Sequence, residues 1–457
     1  MGLFNLTLKG VKWTALNSVL ISLIQLVRVI ILTKLLSPRD YGIMAMVLVV
    51  TSFSQLFLDV GISSAIIYKK NIPDKELTTL YWINVFFGIF VFVAVYSLSD
   101  IFSLYIFNEK ILSEILKIVA FVFILNGFAT QFKALLRKYL KFKILAILSI
   151  ISLVIGFIVT LILAYRGFGV YSLVIGYITE STLNSFLIVA FGLKIQKPKL
   201  NFSLSGIKPY FKFGFFQFLT RIVSTLGSQG DKILIGTFLS TETLGLYNVS
   251  KILIVKPIQF IKNIFNQMAF PVFTSIKDKK QLRKWSISVF KITFLALTPI
   301  LLLLIVFPTS VLYNLYGTKW LTAAPFLSLL SILFSIRILR TSFGPLLISK
   351  GKVRTQFKIS FFETLLMLFV LSILLQFSII HAICGLIFLE VFVFQTIRFH
   401  LIMKPILNLS FKEFFKILFE TVTPLFFSIG VSSILYHYQS EESYTKQIFI
   451  YLTGLII

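Results

Sequence analysis

KWTALNSVLISLIQLVRVIILTKLLSPRDYGIMAMVLVVTSFSQLFLDVGISSAIIYKK, from Lys12 to Lys70, holds the pattern that decides the fold. Two apolar runs, about 13–33 and 41–66, are each long enough to cross a bilayer. The connector between them carries Lys34 and Arg39; the far ends carry Lys9 and Lys12 on one flank and Lys69, Lys70 and Lys75 on the other. The alternation continues along the chain. Further runs are expected at about 80–99, 112–132, 144–164, 170–193, 211–236, 245–270, 286–307, 322–348, 357–376, 379–400, 412–436 and 446–457, roughly fourteen spans in all. Lys and Arg in alternate loops number 28 on one side and six on the other, the remaining ten of the 44 lying inside or at the margins of apolar runs. That asymmetry sets the topology, with the N-terminus and the basic loops in the cytoplasm. A polytopic inner-membrane protein is expected.

Composition agrees. With 57% hydrophobic residues and a mean hydropathy of +0.94, a soluble protein is excluded. A net charge of +27 would ordinarily raise nucleic acid as a partner, but here it sits in short loops beside spans, where it sets topology and meets anionic lipid. Cys384 is the only cysteine, so there is no disulfide framework. The first apolar run is too long for a signal-peptide core, and no cleavable leader is expected. The last run ends at Ile457 after twelve residues, either as a short terminal span or as part of a longer chain.

The sequence repeats. LSPRDYG at Leu36–Gly42 recurs as LSTETLG at Leu239–Gly245, 203 residues on, and LLRKYLK at Leu135–Lys141 has a weaker echo in LLISKGK at Leu346–Lys352, 211 residues on. Six spans separate the copies, an even number, so both halves enter the membrane in the same sense. The expected fold is all-α: two six-helix lobes, 1–203 and 204–406, related by a parallel pseudo-repeat around a central cavity, with about two extra helices in 407–457.

Charges inside spans need a destination, since each costs roughly 2.5–3.5 kcal/mol at the bilayer centre even on lenient scales. Helical spacing gathers Asn17, Gln25 and Arg28 on span one, Ser52, Gln55, Asp59 and Ser63 on span two, and Gln217, Arg221, Ser224, Ser228 and Lys232 on span seven with Asp231 at the edge. Asn248, Lys251, Gln259, Lys262 and Asn266 share a face of span eight. The repeat places these four spans in equivalent positions. A cationic, water-filled cavity is expected, with Gln25, Arg28, Gln55, Asp59, Arg221, Ser228, Asp231, Lys232, Lys251, Gln259 and Lys262 as its candidate binding residues. Surplus cation calls for an anionic cargo. The competing reading makes Asp59 and Asp231 interhelical glue that neutralises nearby cations. Glu180, Glu363, Glu390 and Glu420 are further intramembrane acids; each either pairs with a neighbour or couples transport to protons or sodium. His381, His400 and His437 fall at span ends and are not expected to be ligands. There is no phosphate loop of the GxxxxGK[ST] kind, no HExxH and no cysteine cluster, so no catalytic, cofactor or metal site is expected.

The stretch Lys9–Ile67, GFGVYSLVIG at Gly167–Gly176, GDKILIGTFLSTETLGLYNVS at Gly230–Ser250 and YGTKWLTAAPFLSLL at Tyr316–Leu330 together resemble bacterial polysaccharide flippases of the Wzx type. The branch is that of lipopolysaccharide, colanic acid and teichuronic acid export, within the multidrug/oligosaccharidyl-lipid/polysaccharide superfamily. The resemblance implies a V-shaped alternating-access transporter that moves undecaprenyl-diphosphate-linked oligosaccharide from the cytoplasmic to the outer leaflet. It also implies membrane lipids and polysaccharide polymerase or export machinery as partners. The family's aspartate before the Ile-Gly pair of span seven corresponds to Asp231; Arg28 and Arg221 take the place of its cavity arginines by position. A lipid II or drug exporter of the same fold is the first alternative, and the cations speak against a cationic drug. A membrane polymerase or ligase is the second, and the short external loops, such as RGFG at Arg166–Gly169, argue against it.

Overall fold

A computed structural model of the chain describes residues 2–69, 71–199, 208–276, 278–338, 343–414 and 416. The first half holds α1 (Gly2–Leu35), α2 (Pro38–Leu58), α3 (Ile62–Tyr68), α4 (Asp74–Ile101), α5 (Ile111–Lys138), α6 (Phe142–Tyr165) and α7 (Val170–Gly192). The second holds α8 (Lys208–Phe238), α9 (Thr241–Ser275), α10 (Lys279–Val306), α11 (Pro308–Tyr316), α12 (Ala324–Arg337), α13 (Phe343–Ser349) and α14 (Val353–Leu374). A last helical rod, α15, runs over Ile379–Leu407 with π turns at Leu389–Phe394 and Phe399–Met403. Among the described residues there is no strand, and eleven helices are long and apolar enough to cross a membrane. Of the fourteen expected spans, the two after residue 410 lie outside the described residues or at their edge. Span seven is present as α8, a helix of 31 residues, and is not among the eleven.

One expected span is corrected. The run 41–66 is not one helix: α2 stops at Leu58 and α3 starts at Ile62. Gly61 adopts φ +79°, a left-handed conformation that glycine takes without steric cost. Asp59 ends α2, and its Oδ1 accepts the Ser63 backbone N–H at 2.9 Å, satisfying an otherwise orphaned donor of α3. The polar stripe read as continuous from Ser52 to Ser63 is therefore interrupted at Asp59.

The chain divides into two compact units, one of residues 1–28 and 35–245 and one of residues 29–34 and 246–457. In the first, close crossings are made by glycines. A Cβ on Gly88 would lie 3.0 Å from the Gly127 Cα, and one on Gly176 would lie 1.8 Å from the Thr160 Oγ1 and 3.0 Å from the Gly156 carbonyl. Small residues let the backbones of α4 and α5, and of α6 and α7, approach where lipid supplies no hydrophobic drive for association. Outward-turned Phe86, Phe90, Phe121 and Phe186 are exposed, as lipid-facing side chains are. In the second unit, Trp320 is fully buried beside Tyr316, and its Nε1 donates to the Thr33 carbonyl at 3.0 Å.

The repeat is visible as local structure. Ser37 caps α2, accepting the Asp40 N–H while the Asp40 carboxylate accepts the Ser37 N–H, with Pro38 in the first turn. Ser240, 203 residues later, accepts the Thr243 N–H at 3.2 Å at the start of α9. The echo at the other end is a matching helix stop. Lys141 N donates to Leu136 O at 2.8 Å and Lys352 N to Leu347 O at 2.9 Å, the six-to-one bond of a Schellman motif. Its left-handed residue is Leu140 (φ +56°) in one copy and Gly351 (φ +68°) in the other, 211 residues apart.

Candidate functional site

The first unit brings candidate residues of α1, α2 and α8 together with groups of α3, α6 and α7. Arg221 donates through Nη1 to Asp59 Oδ2 at 2.9 Å and lies within 3.4 Å of both the Asp59 carbonyl and the Ser64 Oγ. Its guanidinium thus sits on the break between α2 and α3, beside both the carboxylate of Asp59 and its carbonyl, which also accepts the Gly61 N–H at 2.6 Å. The Arg221 side chain is 39% exposed and that of Asp59 16%. Arg28 donates through Nη1 to Glu180 Oε2 at 2.9 Å and through Nη2 to Thr160 Oγ1 at 3.2 Å. Thr160 passes its own proton back to the Gly156 carbonyl at 2.7 Å, which fixes it as an acceptor for Arg28. The Tyr177 hydroxyl, one turn before Glu180, reaches Thr51 and Gln55 of α2.

Both arginines are therefore paired with carboxylates in this conformation. Gln55 and Ser228 are exposed and Gln25 is half-buried. Asp231 is buried, and its Oδ1 accepts the Lys232 backbone N–H at 2.9 Å. In the second unit, Lys251 lies 5.8 Å from the centre of the Tyr247 ring, one turn earlier on α9; Gln259 and Lys262, further along the same helix, are exposed.

The second unit carries its own ion cluster, which the spacing argument did not assemble. Glu390 is fully buried on α15 and accepts from Arg337 Nε at 3.0 Å and Arg398 Nη1 at 2.7 Å; Arg398 also meets Glu363 of α14 at 2.6 Å. Two cations and two carboxylates close a neutral set. Gly176 and Glu180 in α7 stand four residues apart, and Gly385 and Glu390 in α15 stand five apart. The additional residue is absorbed by the π turn that starts at Leu389. Glu180 and Glu390 thus each follow a glycine by about one turn, one 28% exposed and the other sealed.

At the basic end of the first unit, Lys69 donates to Tyr210 Oη at 2.9 Å and to Glu76 Oε2 at 3.0 Å, and Tyr210 donates to the same Glu76 oxygen at 2.6 Å. These bonds, that to Tyr210 first, hold Lys69 protonated beyond the ordinary lysine range.

Helices that leave apolar rings outward and arginine–carboxylate pairs inward are those of a multi-pass membrane protein. Residues 31–325 match the family described as polysaccharide biosynthesis protein. The chain belongs to that family. It is 30% identical over 417 residues to lipopolysaccharide biosynthesis protein WzxC of Escherichia coli (strain K12), covering 91% of this chain and 84% of that one. It is 29% identical to teichuronic acid biosynthesis protein TuaB of Bacillus subtilis (strain 168), covering 77% and 72%. Its fold is that of the lipid II flippase MurJ in an inward closed conformation, with a TM-score of 0.75, 15% identity and 95% of each chain covered.

Proposed function

We propose that the protein is an alternating-access flippase that moves an undecaprenyl-diphosphate-linked oligosaccharide from the cytoplasmic to the outer leaflet, for export of a cell-surface polysaccharide. Family membership supports the pathway, and the fold shared with a lipid II flippase supports the mode of transport. The observation that carries the reading is the pair of arginines inside apolar bundles, Arg28 and Arg221, each held on a carboxylate oxygen at 2.9 Å. A diphosphate presents the same forked acceptor geometry as a carboxylate, with more charge. It can take over Arg221 from Asp59 and Arg28 from Glu180, with Lys232 and the neighbouring polar groups of the same unit completing its shell.

An inside-negative potential favours outward passage of a dianion by about 4–5 kcal/mol per 100 mV, before any countermovement of protein charge. The polyprenyl tail stays in lipid while the headgroup crosses. In this reading the lobes are 1–203 and 204–406, residues 407–457 are an appendage, and the N-terminus is cytoplasmic. The chain transports and does not catalyse, handing its cargo to polymerase or export machinery outside.

The test is to delete the gene in its host and follow lipid-linked oligosaccharide and surface glycan by mass spectrometry. A full-length lipid-linked repeat that accumulates while the surface polymer disappears supports the flippase. Unchanged lipid-linked pools with intact glycan overturn it.

A further inference from the structure

The two copies of the repeated motif touch each other, and a third segment holds them. A Cβ on Gly42 would lie 1.9 Å from the Thr241 carbonyl oxygen, and one on Gly245 would lie 1.8 Å from the Pro38 carbonyl oxygen. Pro38 and Thr241 are equivalent under the 203-residue offset, as are Gly42 and Gly245. The contact is therefore reciprocal, as a contact about a two-fold axis is. All four residues belong to the first compact unit, which keeps the start of α9.

Across this contact lies Glu109, in the short connector between α4 and α5. Its Oε1 accepts from Arg39 Nη2 at 2.9 Å and its Oε2 accepts from Thr241 Oγ1 at 2.7 Å, so one carboxylate binds one residue from each motif copy. The connector is built to hold it still. Glu109 N donates to Ser103 O at 2.9 Å, Ser103 Oγ donates to Glu109 O at 2.8 Å, and Asn108 takes the left-handed turn at φ +47°. Phe107 is buried against Gly236 of α8, whose added Cβ would lie 2.9 Å from the ring. The Glu109 side chain is 11% exposed, whereas that of Arg39 is 65% exposed. A bond with one wet partner is weak enough to break and remake.

We propose that Glu109 is the latch of the outer gate. It rests on the flippase reading and on the topology that puts Arg39 and Lys110 outside. In the state described here the latch ties the starts of α2 and α9 together at their glycine crossing. Outward opening releases both Glu109 bonds and separates the two motif copies, and return to the inward state remakes them. Gly42 and Gly245 give the closed gate its close fit, and Glu109 sets how long it stays shut.

The experiment is amide hydrogen exchange on the full-length protein in lipid nanodiscs, without cargo, comparing wild type with Glu109→Gln and Thr241→Val. The second variant removes one hydroxyl at nearly constant volume. A latch predicts several-fold faster exchange over residues 36–46 and 239–247 in both variants, with slower exchange around Lys69 and Tyr210 at the other end of the same unit. Faster exchange at both ends means loss of packing and overturns the proposal, as does no change in the Thr241→Val protein. The readout needs no cargo, so a failed latch leaves the flippase reading standing. A failed flippase test in cells leaves the exchange result intact.

Discussion

Arg221 and Asp59 form a contact that a simple structural ion pair and an anion-binding site would share, and a charge swap separates the two. Removing the guanidinium in Arg221→Ala is expected to abolish surface polysaccharide while leaving protein in the membrane; normal polymer levels measured by immunoblot would refute a binding role. Exchanging the partners, Arg221→Asp with Asp59→Arg, keeps the ion pair but moves the cation onto the helix break. Restored protein with no polymer is expected, whereas restored polymer would reduce the pair to interhelical glue. Leu140 offers a test of the repeat. It takes the left-handed position that Gly351 fills in the other copy, and a side chain there costs on the order of 1–2 kcal/mol. Leu140→Gly is expected to gain about 1 kcal/mol in a thermal unfolding series in detergent, after the entropy of the added glycine is subtracted.

Between helices, the close crossings and the buried charges set the tolerances. Gly176→Val would drive two methyl groups into Thr160 and the Gly156 carbonyl, and by the usual cost of overpacking loses about 1–3 kcal/mol or more. It should also free Arg28 from Thr160, so reduced export should accompany the lower melting temperature. Glu390→Gln removes the carboxylate that Arg337 and Arg398 share in a sealed site, and about 3–5 kcal/mol of stability is expected to go with it. Fluorescence-detected gel filtration after heating would measure both. Much at this scale was legible beforehand. The serines and glycines of LSPRDYG and LSTETLG are the cap and crossing residues of α2 and α9, and their spacing alone announced the repeat. The break at Asp59 was not legible, because a polar stripe at helical spacing runs unchanged through a residue that ends a helix; only Gly61 carried a signal. The partners of Arg28 and Arg398 were hidden for a plainer reason. Glu180 lies 152 residues from Arg28 on α7 and Glu363 lies on α14 against Arg398 of α15, and periodicity along one helix says nothing of which neighbour packs against it.

For the molecule as a whole, the charge asymmetry of the loops makes a direct forecast. A phosphatase reporter active only outside should be active when fused after Arg39 or Gly167 and silent after Lys75 or Lys143. The opposite pattern would invert the topology and move the Glu109 latch to the cytoplasmic gate. The eleven helices among the described residues that are long and apolar enough to cross a membrane, and their order, were readable from hydropathy because each must satisfy its backbone internally. How those helices share out into compact units was not. Residues 29–34 of α1 belong with the second unit, where the Trp320 indole, 287 residues downstream, binds the Thr33 carbonyl. That bond also has a timetable. At about 5–20 residues per second of synthesis, the ribosome needs roughly a quarter of a minute to a minute to go from Thr33 to Trp320. The end of α1 is thus made well before its partner Trp320 is. Through that interval its carbonyl must be sheltered by lipid headgroups, by water or by the insertion machinery, which makes the end of α1 the place where a stalled chain would first be recognised as incomplete.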